Sequence, residues 1–212
     1  FNIYRRANYP EYFLPEIKTL MSKENTSGFK QNYVFLNNLL KNEISEDFEE
    51  KRKTGENHHM LCQFIRNDSV DEFIIFVNQN NYPLNSELPN SIFETNPFFF
   101  KDIFGKIKLF QYAAFYGSIQ IFQYLRLKGV ELDNKYLWKL AAHSNNGELI
   151  HLLEENHVSN MNYFNEALKC HHNEIAQYFR ENFFTNLEIS VDQINSSLKY
   201  YNFAFIQKDS IS

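Results

Sequence analysis

"AAFYGSIQIFQYLRLKG", residues 113–129, decides the fold, because the chain repeats it in altered form. "AAHSNNGELIHLLEENH" spans 141–157 and "ALKCHHNEIAQYFRENF" spans 167–183. Each copy carries two apolar residues, one free position and two more: Ile121-Phe122/Tyr124-Leu125, Leu149-Ile150/Leu152-Leu153 and Ile175-Ala176/Tyr178-Phe179. An earlier copy reads Phe73-Ile74/Phe76-Val77. Apolar residues at i, i+1, i+3 and i+4 form a broad stripe on one helix. Eight positions before each stripe stands a small residue, Ala113, Ala141 or Ala167, which lets a preceding helix approach closely. The first copy has Ile65 there, marking it as a terminal, atypical repeat.

Short turns separate the two helices of each pair: "YGSI", "NNGE" and "HHNE". Gly117 suits the left-handed conformation that ends a helix, and Ser118 suits the cap of the next. Asn145 and Asn146 fit the same two roles, and His172 falls on the capping position. A helix–turn–helix unit of this size cannot bury its apolar face alone, so the units must stack.

Outward from the repeats, "YFLPEIKTLM" (12–21) and "YVFLNNLL" (33–40) have helical periodicity and flank the turn-like "KENTSG" (23–28). The charged run 42–57 reads as a solvated helix face or linker. The expected organisation is a helical N-terminal segment over 1–57, a repeat domain over 58–206 and a tail over 207–212. An insertion at 81–106, carrying Phe98, Phe99 and Phe100, interrupts the repeat domain and is expected to pack on it. The segment "SVDQINSSLKYYNFAFI" (190–206) is expected to close the stack, with Ser190 as its helix cap.

Composition narrows the class. Among 212 residues, 22 Phe and 13 Tyr exclude a disordered chain, which lacks large apolar groups to bury. A net charge of −5 argues against binding a nucleic-acid backbone, which needs clustered Lys and Arg. Two cysteines fit free thiols in a reducing compartment, and no stretch has the length of a membrane span or a signal peptide's apolar core. The expected location is cytoplasmic, with no nucleic-acid or membrane partner. The first residue is Phe, as expected of a piece of a longer chain.

The repeat spacings of 48, 28 and 26 residues compare with about 33 for an ankyrin repeat, whose β-turn finger a shorter unit would trim. The stretch 60–206 resembles a divergent ankyrin-like family expanded in flagellated protists, a domain of unknown function. The likeness lies in "IRNDSVDEFIIFVNQNN" (65–81), "SIFETNPF" (91–98), "YAAFYGSIQIFQYL" (112–125), "NGELIHLLEENHV" (146–158), "KCHHNEIAQY" (169–178) and "LKYYNFAFI" (198–206). The resemblance implies an all-α, ankyrin-like helical solenoid with shortened or missing β-turn fingers, a protein-interaction role and no catalytic residues. The Thr-Pro-Leu-His start of ordinary ankyrin repeats is replaced by "KLFQ" (108–111), "YLWK" (136–139) and "NYFN" (162–165). Phe110, Trp138 and Phe164 take the Leu position, so aromatic packing is expected to replace the Thr–His bonds that brace neighbouring repeats.

"KCHHNE" (169–174) offers the densest reactive chemistry. Cys170, His171 and His172, with His143 or His151, supply zinc-type ligands, but adjacent helical residues diverge by about 100° and the usual spacing is absent. A thiol nucleophile at Cys170 would need a positioned base and an oxyanion hole. No phosphate loop, HExxH or GxSxG is present, so neither an enzyme, a metal nor a cofactor is expected. Glu154, Glu155 and Asp133 either form a recognition edge or merely solvate the convex side.

Tyr112, Phe115, Tyr116, His143 and Lys169 are the candidate partner-binding residues. The competing placement buries the three aromatics against the Phe98–Phe100 segment. The function expected is a non-catalytic protein-interaction scaffold. The alternative is a subunit of a large cytoskeletal or flagellar (axonemal) assembly, and a thiol or metal-dependent enzyme at 170–172 is a distant third.

Overall fold

The computed structural model describes residues 10–23, 43–99, 107–132, 134–154, 161–184 and 191–205. The expected helix at 33–40, most of the 23–28 turn, Phe100, Asp133, Glu155, Ser190 and the tail after 206 lie outside the described residues. The described residues form two units. One combines the N-terminal part through His59 with the stretch that begins at Pro89; the other begins at Met60 and omits that stretch.

In the first unit a 3-10 turn, Pro10–Phe13, leads into α1 (Leu14–Lys23), and α2 spans Phe48–Thr54. The Arg52 guanidinium on α2 bonds both Glu16 carboxylate oxygens on α1, at 2.7 and 2.9 Å, and lies over the Tyr12 ring. Gly55 ends α2 in the left-handed conformation (φ 69°), and its carbonyl accepts from both the N–H and the hydroxyl of Thr95. A Cβ at Gly55 would sit 2.7 Å from that hydroxyl oxygen, so only glycine fits. Phe93 meets Phe48 edge-on, and the Asn57 side chain donates to the Pro89 carbonyl at 2.6 Å. The middle of the expected insertion is therefore built into the N-terminal unit, whereas the sequence reading placed it on the repeats.

The second unit is a row of helix pairs. The pairs are α3 (Met60–Arg66) with α4 (Val70–Gln79), α5 (Leu109–Tyr116) with α6 (Ile119–Leu127), α7 (Asn134–Ser144) with α8 (Gly147–Leu153), and α9 (Met161–Lys169) with α10 (Asn173–Phe183). A further helix, α11 (Val191–Lys199), follows. First helices pack on one another in the order α3, α5, α7, α9, α11, and each touches its own second helix where it has one. This explains why every residue from Leu109 to Phe115 is buried, while α6 buries one stripe, Ile121, Phe122 and Leu125. Trp138 packs on Tyr163, Phe179 and Phe183, so the aromatics at the old Leu position bind one pair to the next. Ala113, Ala141 and Ala167 are fully buried at the close approach.

The all-α class holds among the described residues. β pairing there is limited to an isolated bridge between Glu87 and Lys108. No described helix is long and apolar enough to cross a membrane.

Each first helix ends on a left-handed residue: Asp68, Gly117, Asn145, His171 and Tyr201. At Gly117 and His171 the bonds Ser118 N–H to Ala113 O and His172 N–H to Ala167 O, both 2.9 Å, close the helix end over the small residue. In the first pair the turn arrives one residue early relative to the apolar stripe. Ser69 N–H reaches Phe64 O, so Phe64, not Ile65, stands in the small position.

Ser118 does not cap its own helix, contrary to expectation. Asp68 of the preceding turn does so, accepting from the N–H groups of Gln120 and Ile121 at 3.0 Å each, where its negative charge meets the positive end of the helix dipole. The Ser118 hydroxyl instead donates back to the Ile65 carbonyl. The residue after each later turn does the same. Asn146 Nδ2 donates to Gly117 O at 2.8 Å, His172 Nδ1 to Ala142 O at 3.0 Å, and Asn202 Nδ2 to Leu168 O at 2.8 Å. Neighbouring pairs are thus braced by hydrogen bonds as well as by aromatic packing. Asn146 also caps α8 as expected, accepting from Leu149 N–H at 3.2 Å.

Gly117 combines φ 70° with a turn where an added Cβ would lie 3.1 Å from Asn146 Cβ and 3.2 Å from Ser144 Cβ. Gly117→Val should cost about 2 kcal/mol and lower the midpoint of thermal unfolding by roughly 5 °C. An unchanged midpoint would contradict this placement.

Candidate functional site

The position two residues before each left-handed turn residue holds Arg66, Phe115, His143, Lys169 and Lys199. Equal register on stacked first helices makes these one row along the second unit. Contacts join the row. Arg66 Nη1 donates to the Tyr112 hydroxyl at 2.8 Å, and Phe115 stacks on the His143 ring at 4.4 Å and 25°. Lys169 and Lys199 both lie over the Tyr200 ring, at 5.9 and 5.3 Å.

At the centre lies Glu166 on α9, a carboxylate whose side chain is 5 % exposed. A buried charge must be paired to be tolerated. Its Oε1 accepts from Lys169 Nζ at 2.9 Å and has His143 Nε2 at 3.9 Å; Lys139 Nζ stands 3.4 Å from Oε2. Cys170 Sγ, one helical turn on, is 3.9 Å from Oε1. The i, i+4 pair Lys139/His143 on α7 and the i, i+3, i+4 set Glu166/Lys169/Cys170 on α9 are thereby brought together.

The arrangement quiets the chemistry it contains. Burial, reinforced by the Glu166 charge, pushes the Cys170 thiol up to about 11. At pH 7 only about one thiol in ten thousand is then ionised, the opposite of an activated nucleophile. His143, Glu166 and Cys170 each present one ligand atom, all within 4.8 Å of one another. Two lysines already neutralise that carboxylate and the thiol holds its proton, so the charge balance opposes a divalent cation.

The zinc-type set Cys170/His171/His172, which the spacing argued against, is not brought together. His171 is left-handed and its Nε2 bonds Tyr200 O at 2.9 Å, while His172 Nδ1 is bound to Ala142 O. Both rings therefore point into backbone contacts. His151 lies elsewhere, bonded to Glu154 at 2.8 Å. The Glu154 carboxylate also accepts from the Tyr178 hydroxyl, whose proton is held up to about 12 by burial and by that bond. So Glu154 pairs within the fold.

Of the candidate partner-binding residues, Tyr112 and Phe115 are buried, which agrees with the competing placement on burial and overturns the exposed hot spot; Tyr116, His143 and Lys169 are partly exposed. Tyr112 is occupied by Arg66 and Tyr116, and Phe115 by Tyr116 and His143. Sequence reasoning missed Glu166, Lys139, Arg66 and Lys199. For Arg66 and Lys199 the available signal was the shared offset from each turn residue.

No family model matches this chain, and neither a curated protein nor a solved structure matches it.

Burial holds the pKa of His143 below its ordinary value, an effect that Glu166 partly offsets. The folded protein prefers the neutral ring, so the unfolded chain binds the proton first. His143 therefore contributes stability that is complete above pH 6.5 and is lost as pH falls from there towards the lowered folded value. His143→Gln should flatten the pH dependence of unfolding free energy below pH 6.5, measured by urea titration beside the parent chain. A slope identical in both would contradict the assignment.

Proposed function

We propose that this chain is a non-catalytic protein-interaction scaffold, an ankyrin-like solenoid that binds an acidic segment of a partner along the row from Arg66 to Lys199. The observation that carries the reading is the charge of that row. Arg66, Lys169 and Lys199 share one register on the stacked first helices, and Lys139 joins Lys169 at the Glu166 carboxylate, in a chain of net charge −5. Cations gathered on one face of a repeat stack make a complementary surface for carboxylates. Tyr116 and Tyr200 border the row and offer rigid aromatic contact area. The likeness of 60–206 to a divergent ankyrin-like family supports the same role. The use of Cys170, His171 and His172 in structural contacts favours binding over catalysis.

The second reading is a structural subunit of a large cytoplasmic assembly of cytoskeletal or flagellar type. The exposed apolar side chains Leu198, Tyr201 and Phe203 near the end of the described helices favour it.

Salt separates the two. A partner held on a basic row is screened by added salt, whereas an assembly subunit with a large apolar interface is retained. Partners isolated on the parent chain at low salt should be released at high salt. They should also be at least tenfold depleted on the double variant Lys169→Glu, Lys199→Glu. Retention of the same partners by that variant, with binding indifferent to salt, would contradict the acidic-partner reading.

A further inference from the structure

We infer that the acidic segment taken by the row is an extended, polyproline-type stretch with a carboxylate at every third residue. The inference rests on the scaffold reading above and names the conformation and spacing of that partner.

The spacing follows from the way the first helices pack. Lys169 and Lys199 hold the same register on α9 and α11, which are in contact, so one helix-to-helix step separates their positions. Packed helices lie about 8–10 Å apart, depending on the side chains between them. Ala167 on α9 and Ser197 on α11, each four before its turn residue, are both buried, as are Ala113 and Ala141 on the earlier first helices. Small residues at every junction exclude the widest separations. A chain laid across the row must therefore return an acidic side chain to the same face about every 9 Å.

The regular conformations differ in that step. A β-strand brings a side chain back to one face after two residues, about 6.7 Å, or after four, about 13 Å. An α-helix does so after three or four residues, about 4.5–6 Å, and next after seven, about 10.5 Å. A polyproline-type chain completes a turn in three residues and advances about 9.3 Å. Of these, the polyproline-type step falls on the spacing of the row. Such a chain is also stiff before it binds, so it loses less conformational freedom on docking than a flexible acidic tail.

The rings beside the cations suit the same chain. Tyr116 and Tyr200 each directly follow a residue of the row and are partly exposed. The Tyr200 ring has Lys169 Nζ at 5.9 Å and Lys199 Nζ at 5.3 Å, so both cations adjoin one aromatic surface. Aromatic surfaces receive the preformed turns of proline-rich segments. The Lys169 side chain is 35 % exposed even while it pairs with Glu166, and Lys199 is exposed. One carboxylate of the segment seats on Lys169, the carboxylate three residues away seats on Lys199, and a proline between them lies against Tyr200.

The test uses two fifteen-residue peptides of identical composition. One repeats Glu-Ala-Pro five times; in the other, five glutamates alternate with five prolines and five alanines follow. Proline after alanine biases the first peptide towards the extended conformation. Binding of each to the full chain is read by fluorescence anisotropy at low salt. The Glu-Ala-Pro peptide should bind at least tenfold more tightly, and the double variant Lys169→Glu, Lys199→Glu should abolish that preference. Equal affinities, tighter binding of the alternating peptide, or binding of neither would overturn the inference. Equal affinities that are both lost on the double variant would overturn the spacing while leaving the acidic-partner reading intact. That reading fails on a different result, the salt-indifferent retention of cellular partners by the double variant.

Discussion

The junctions of the second unit depend on one repeated interaction: the side chain that follows a left-handed turn reaches back to a backbone carbonyl of the pair before it. Ser118, Asn146, His172 and Asn202 make it with four different donors. The end of a helix leaves its last carbonyls without partners inside the helix. Closing the turn over a small residue satisfies part of that need, and the next unit's side chain satisfies more. A junction so made joins helix termination to the docking of the neighbour. Moving a turn by one residue would place its donor on the wrong side of the helix. The constraint falls on geometry and hydrogen-bonding capacity rather than residue identity, so hydroxyl, amide and imidazole can serve in turn. His172 serves only with its proton on Nδ1, because a carbonyl cannot donate.

The same constraint explains why the reactive side chains are quiet. His171 and His172 are committed to carbonyls, and Glu166 holds its place by gathering Lys139, Lys169 and His143. Cys170 sits against that carboxylate and keeps its proton. What the stack leaves to solvent is the rim of this network, a row of cations with aromatic residues between them. The binding proposed above uses charge held at fixed intervals, which the row offers.

The pairing of helices was legible because an i, i+1, i+3, i+4 stripe admits one buried face, and Gly117 and Asn145 are residues that tolerate the left-handed region. Ala113, Ala141 and Ala167 gave the close approach correctly. The register of the first pair was misread because its apolar stripe matches the others while its turn comes one residue earlier. Ser118 was misread because a serine before a helix looks alike whether it bonds its own helix or the pair before it. Only the neighbour's Asp68 decides between the two. Tyr112 and Phe115 could not be assigned to surface or interior from a helix that is apolar all round. Glu166 resembled an ordinary surface charge until α7 brought Lys139 and His143 beside it. That residues 89–99 belong with the N-terminal unit depends on contacts such as Thr95 with Gly55, which no local pattern reveals.

Native-state hydrogen exchange on Ser118→Ala tests the central claim most directly, because this hydroxyl makes the backward bond without capping its own helix. Removing it leaves the buried Ile65 carbonyl with the Asp68 N–H alone, a loss of about 0.5–1.5 kcal/mol. The account predicts faster amide exchange in α3 and α4 together with α5, with the opening free energy of that junction reduced by this amount. Unchanged exchange in α3 and α4 would show that packing alone joins the pairs and would contradict the account.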